Sequence, residues 1–423
     1  ISQYDEPIAE HGEIILQFPI EENIRDMARI GIRRVHLEED AAKLFHDHAG
    51  DTLVDFNRAG VPLVEIVTDP DFKTALEAKT YCQELQRIMR YLGVSDADME
   101  KGHLRCEANV SVQEAVRFEI VAGEVKALGD YKLNYKVELK NINSFRAVEK
   151  AIVFEIERQT KMIEEKQSWA QQTRGWDEDR NETVLQRVKE SAQDYRDYPE
   201  PDIPPVHPRI RAGTISLPER PTQKRQRFHE EYGFSYADAK LLTESKEWAA
   251  FTEAMMSELV DWLYTLPEVK GETDEIRENK RQKIARLAGG WLTSKLMGAM
   301  NERAVDIRVL KISPENFAEL VALVYAGRVN TTNAQKILAE MLDSGSDLDP
   351  THVMEEKGYG QVRDEAAIAK AVDEAIANHP RQVEQFRAGK KPVLRFLIGM
   401  VMKATEGSAD PQLAEALLRA RLR

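Results

Sequence analysis

The last two hundred residues of the chain read as helix alone, and that limits the folds open to it. Through about residue 145, short runs with apolar residues at every second position, the spacing of strands with one covered face, mix with one clear helix. After about residue 218 apolar residues recur at three and four, the spacing of helices. Between the two lies Tyr198-Pro199-Glu200-Pro201-Asp202-Ile203-Pro204-Pro205, a proline cluster that fixes an extended segment and reads as a domain edge. The expected class is α+β. A mixed-sheet cradle domain takes residues 1–215, an all-α linker domain 216–349 and an all-α tail domain 350–423, with a joint at Ser344-Gly345-Ser346.

Local signals place the main helices. One follows Asp69-Pro70-Asp71 and runs to Gly93, with Ala78, Tyr81, Cys82, Leu85, Ile88, Met89 and Leu92 as its apolar stripe. Ser144 caps the next, with Val148, Ile152, Ile156 and Ile163 as its stripe. Ser313-Pro314-Glu315 opens another, with proline at the first helical position. Val393 to Met402 forms an apolar helix after Arg387-Ala388-Gly389-Lys390-Lys391-Pro392.

Two strands carry a polar face. In Arg105-Cys106-Glu107-Ala108-Asn109-Val110-Ser111-Val112, the residues Cys106, Ala108, Val110 and Val112 point inward, and Arg105, Glu107, Asn109 and Ser111 share the other side. In Lys136-Val137-Glu138-Leu139-Lys140-Asn141, Val137 and Leu139 point inward, and Lys136, Glu138 and Lys140 point outward. Joined in one sheet, these faces interleave carboxylates with cations. Such a surface can hold a metal and an anionic ligand together, or it can be a solvated face with cross-strand ion pairs. A third run, Val61-Pro62-Leu63-Val64-Glu65-Ile66-Val67, is apolar on both sides apart from Glu65. That pattern suits a strand covered on both faces, where a carboxylate must be paired, protonated or metal-bound. His36-Leu37-Glu38-Glu39-Asp40 adds an acidic cluster with a histidine.

Charge and cysteine content narrow the function. With 59 basic against 73 acidic residues, a net charge of −14, the chain does not coat itself on nucleic acid, though a local basic patch is allowed. Such a patch stands at residues 381–423, with nine Lys/Arg against four Asp/Glu. Cys82 and Cys106 both fall at inward positions and read as core thiols of a reducing compartment, not as a disulfide framework. No run of 18 apolar residues appears. The sequence contains no GxxxxGK[ST], GxGxxG or HExxH, and no GxSxG elbow or kinase signature set. Any nucleotide is therefore held through metal and carboxylates.

Taken in order, the segments form a known series: His36 to Asp40, Asn57-Arg58-Ala59-Gly60 through Val67, Gly102-His103-Leu104 through Ser111, and Glu138 through Phe145. Arg187-Val188-Lys189-Glu190, Asp194-Tyr195-Arg196 and Pro199-Glu200-Pro201-Asp202-Ile203 follow, and Gly389 to Leu418 closes it with Ile398-Gly399 and Asp410-Pro411-Gln412-Leu413. This series closely resembles the B subunit of the aspartyl/glutamyl-tRNA(Asn/Gln) amidotransferases, the GatB family, over essentially the whole chain.

The resemblance implies one part of a three-subunit ligase with glutamine as amide donor. An amidase subunit releases ammonia, and a small third subunit wraps the interface of the other two. The GatB member binds mischarged Glu-tRNA(Gln) or Asp-tRNA(Asn) and activates the side-chain carboxylate with ATP and Mg²⁺. The setting is the cytoplasm or the interior of an organelle. By the same resemblance, Glu39, Glu65, Glu107 and Glu138 match the family's acidic site, with Glu39 and Glu65 as metal ligands. Lys136, Lys140 and Arg105 are the expected partners of the phosphates. Arg387, Lys390 and Lys391 are the expected tRNA contacts in the tail. Glu107 stands where the family usually has aspartate, and Ser191-Ala192 replaces a glycine-containing stretch. The family's opening strand, with a Glu-x-His pair, and a later lysine fall before Ile1. Two further readings remain at this point: a non-catalytic tRNA-binding or assembly subunit, and a metal-dependent RNA hydrolase.

Overall fold

The structure is a computed structural model that describes residues 6–18, 25–46, 51–188, 216–265, 281–360, 365–405 and 409–422. The proline cluster and the stretch from Lys189 through Asp194-Tyr195-Arg196 lie outside them. Contacts divide the chain into two units, Ile1–Pro218 and Glu219–Arg423.

The first unit has the strands and the second has helices, so the α+β class holds. Strands β1 (Ala9–Gln17), β2 (Met27–Glu39) and β5 (Pro62–Thr68) form an antiparallel sheet in the order β1-β2-β5. Strands β3 (Lys43–His46) and β4 (Thr52–Asp55) form a hairpin, as do β7 (Phe118–Val121) and β8 (Glu124–Ala127). A four-stranded mixed sheet runs β11-β10-β9-β6, built from β6 (Ala108–Val110), β9 (Val137–Lys140), β10 (Gln172–Asp177) and β11 (Glu182–Val188). Only β9 and β10 pair parallel in it.

Helices α1 (Ala75–Leu92) and α2 (Phe145–Glu164) share one core with inward residues of both larger sheets: Ala28 and Ile30 from β2, Val137 and Leu139 from β9. Both helices start and stop where side-chain chemistry dictates. Thr74 accepts from the Glu77 amide at 3.2 Å, and Ser144 from the Ala147 amide at 3.1 Å. Each satisfies one of the free first-turn N–H groups. Gly93 closes α1 in the left-handed conformation, φ 69°, which costs a glycine little. Helix α1 buries more than its apolar stripe. Glu77 is enclosed and held by Arg25 at 2.7 Å, and Glu84 pairs with Arg87 at 2.6 Å. Leu92 of the expected stripe is exposed instead.

In the second unit Ser313 caps a helix over Pro314–Tyr325 with Pro314 in its first turn. The apolar helix of the tail runs Val393–Ala404. Ile368, Val372, Leu397, Val401 and Leu418 belong to a core cluster of their own within residues 368–422.

Candidate functional site

Two carboxylate clusters stand on the strands of the first unit. The first comes from the antiparallel pairing of β2 and β5, which sets His36 opposite Glu65. Opposite residues project to the same side, and Glu38, two residues along β2, joins them. His36 is fully enclosed. Its Nε2 lies 3.0 Å from a Glu65 oxygen and 3.2 Å from a Glu38 oxygen. One ligand atom from each residue falls within 4.8 Å of the other two.

This geometry places two residues otherwise than expected. Alternation sends Glu39 to the other side of β2, opposite Pro62, where it is exposed; Glu38 takes the place expected of it beside Glu65. The signal was present in the spacing, because positions i and i+2 share a face and Glu38 is two residues from His36. Among the described residues, nothing covers strand β5 on both sides either. Val64 is exposed, and the Glu65 side chain keeps 51% of its surface, so Glu65 is not a desolvated charge. Asp40, at the end of the same acidic run, is taken up by Arg58 at 2.7 Å.

The second cluster lies on the outward face of the four-stranded sheet. Strands β6 and β9 are neighbours there, with Asn109 opposite Glu138, so the two polar faces do join. Lys140 sits between carboxylates, 3.2 Å from Glu107 and 3.5 Å from Glu138. The other oxygen of Glu138 accepts from the Thr173 hydroxyl at 2.8 Å. Burial pulls the Lys140 ammonium down, but Glu107 and then Glu138 outweigh it, and its pKa lies above the ordinary lysine value. An ammonium has three N–H groups. Two carboxylates thus leave Lys140 one direction for a further anion. Arg105 and Lys136 are exposed and lie ahead of β6 and β9. The regular pairing of β6 begins only at Ala108, three residues later than Arg105. Sequence reasoning missed Thr173, because nothing in the sequence pairs β10 with β9.

Arg387 ends the helix Pro380–Arg387, and Lys390 and Lys391 follow around Gly389, φ 92°. All three cations are exposed.

The model of the GatB/GatE catalytic domain matches residues 1–212, and that of the GatB domain matches residues 274–422. The chain belongs to the GatB family. Several curated relatives carry the name of the B subunit of aspartyl/glutamyl-tRNA(Asn/Gln) amidotransferase. That of Synechococcus elongatus is 40% identical over 432 residues, covering 100% of this chain and 80% of the relative. That of Crocosphaera subtropica is 39% identical, covering 99% and 80%. That of Thermosynechococcus vestitus is 39% identical, covering 100% and 79%. Among the described residues no helix is long and apolar enough to cross a membrane.

Proposed function

We propose that the chain acts as the GatB subunit of a glutamine-dependent tRNA amidotransferase. In this reading it binds Glu-tRNA(Gln) or Asp-tRNA(Asn) and uses ATP to activate the side-chain carboxylate. Ammonia then arrives from a partner amidase, with a small third subunit to complete the complex. One observation carries the reading: a GatB-family chain, matched along its length, that brings His36, Glu38 and Glu65 to one point on the same unit as a strand pair bearing Glu107, Glu138 and Lys140.

The three residues of the first cluster fit a divalent cation. Two carboxylates are what Mg²⁺ takes from protein before waters and phosphates complete its shell, and an imidazole nitrogen adds a donor that suits the transition metals better. A cation bound there supplies the positive charge that lets an anionic carboxylate approach a triphosphate. The chain's own residues do the rest. His36, enclosed and fixed, orients Glu38 and Glu65. Lys140 offers its remaining N–H to a phosphate oxygen while holding Glu107 and Glu138 in place. Positioning and charge stabilisation of this sort supply most of the catalysis in phosphoryl transfer.

The test uses the complete protein in its assembled complex. Glu38→Gln and Glu65→Gln lose ATP hydrolysis that depends on mischarged tRNA, while Glu39→Gln keeps it and all three assemble. Near-normal ATP turnover in both Glu38→Gln and Glu65→Gln overturns the assignment. RNA cleavage without ATP turns it toward a hydrolase, and tRNA binding without any turnover toward a scaffold.

A further inference from the structure

Thr173 is a buried hydroxyl aimed at the candidate site from a neighbouring strand. It lies on β10 in parallel register with Glu138 on β9, and only 2% of its surface is exposed. Its Oγ1 donates to Oε2 of Glu138 at 2.8 Å, while Oε1 of the same carboxylate faces the Lys140 ammonium at 3.5 Å. One oxygen is thus held by a neutral donor and the other by a cation. A β-branched side chain on a strand has few χ1 states, so the hydroxyl is a stiff anchor. The next residue, Arg174, points to the opposite face and donates to the Thr183 hydroxyl at 2.8 Å. That contact resists any slip of β10 that would turn Thr173 away.

We propose that Thr173 is a positioning residue for Glu138. Its hydroxyl fixes the carboxylate in the orientation in which Lys140 is shared between Glu138 and Glu107. Without that bond Glu138 is free to rotate about its side chain, and Lys140 settles on Glu107 alone. The inference rests on the reading of Glu138 as a member of the site, and the experiment separates the two.

The assembled complex is compared with Glu138→Gln, Thr173→Val, Thr173→Ser and Thr173→Ala versions. The readouts are kcat and KM for tRNA-dependent ATP turnover, and the melting temperature. Thr173→Val keeps the shape and removes the donor, so kcat falls by about tenfold or more, the loss expected of a hydrogen bond to a charged group. KM for tRNA and the melting temperature stay near those of the parent, and Thr173→Ser restores most of kcat. If the valine variant does not fold, serine against alanine decides the matter: serine about tenfold faster supports the proposal, and equal rates overturn it. A Thr173→Val complex with the parent's kcat overturns it while Glu138→Gln is inactive. A fully active Glu138→Gln removes the reading of Glu138, and this proposal with it.

Discussion

Replacing Glu155 by alanine tests whether the back of the four-stranded sheet holds the site in register. Glu155 is fully enclosed on α2. Arg158 binds both its oxygens, at 2.6 and 2.9 Å, and Gln159 donates at 2.8 Å. The Thr183 hydroxyl donates to it at 3.2 Å, and Arg174 approaches within 3.7 Å. Gln159 in turn grips β6, donating to the Val110 carbonyl and accepting from the Val112 amide at 2.9 Å. One buried carboxylate therefore ties α2 to β10, β11 and the edge of β6. Removing it leaves two guanidiniums facing each other with 19% and 15% of their side-chain surface exposed. Burial already pulls the Arg174 pKa down, Arg158 adds to that, and Glu155 opposes it. Breaking a buried ion pair in this one-sided way costs about 3–5 kcal/mol. For a unit of roughly 200 residues that corresponds to a melting temperature lower by about 6–20 °C. Urea unfolding followed by tryptophan fluorescence reads it, because Trp176 sits on β10 against Phe154 of α2. Glu155→Gln, which keeps the shape and several hydrogen bonds, loses less. A loss under about 1 kcal/mol for the alanine variant refutes the argument, since it means that water reaches the freed guanidiniums at little cost.

Three other outcomes follow from single contacts. Glu107→Asp keeps tRNA-dependent ATP turnover within about tenfold, ~1.4 kcal/mol of barrier, whereas Glu107→Ala loses more; an alanine variant as active as the parent reduces Glu107 to a solvated partner of Lys140. Burial raises the Glu319 carboxyl, with the Thr351 hydroxyl opposing and Asp349 and Glu315 adding to the rise; between the ordinary and the raised pKa the folded chain holds more protons than the unfolded, so stability falls as pH rises through that window. Glu319→Gln therefore raises the melting temperature at pH 7 and changes it little at pH 4, as differential scanning fluorimetry shows. Neutralising Lys390 and Lys391 together weakens tRNA binding and flattens its salt dependence in filter binding; an unchanged salt slope removes the tail from the tRNA surface.

Much of this was legible because its causes are local. Ser144 and Ser313 cap helices through bonds to amides three residues away, and Gly93 stops α1 by its own φ. The face assignment of Val137, Leu139, Glu138 and Lys140 needs only alternation. The departures came where long-range pairing decides. A run of apolar residues around Glu65 looks the same whether a second layer covers it or not, so its exposure is not in the sequence. Glu77, Glu84 and Arg87 look like solvated helix residues until Arg25 and the helix's own turn enclose them. Thr173 meets Glu138 only because β10 lies parallel beside β9, a pairing across 35 positions.

On the proposed reading, the charge arrangement accounts for a division in which the chemistry and the holding of a large anion fall to different parts of the chain. Lys140 is shared by Glu107 and Glu138, so that group keeps a negative surplus. His36 faces two carboxylates, and even when protonated it balances one of them. A nucleic acid meeting these faces unaided is repelled, and the net charge of −14 gives no general attraction. His36, Glu38 and Glu65 would hold a divalent cation whose charge would reverse the local sign for a triphosphate, but such a site would not hold a long backbone, which needs many phosphate contacts. The excess of basic residues in 381–423, exposed at Arg387, Lys390 and Lys391, suits that second task. Phosphate contacts of this kind fix register without reading bases. On this division, charge reversal in the tail changes KM for tRNA and leaves kcat near the parent value, while substitutions at Glu38 or Glu65 change kcat. Identical kinetic signatures for the two sets would mean that one surface performs both tasks.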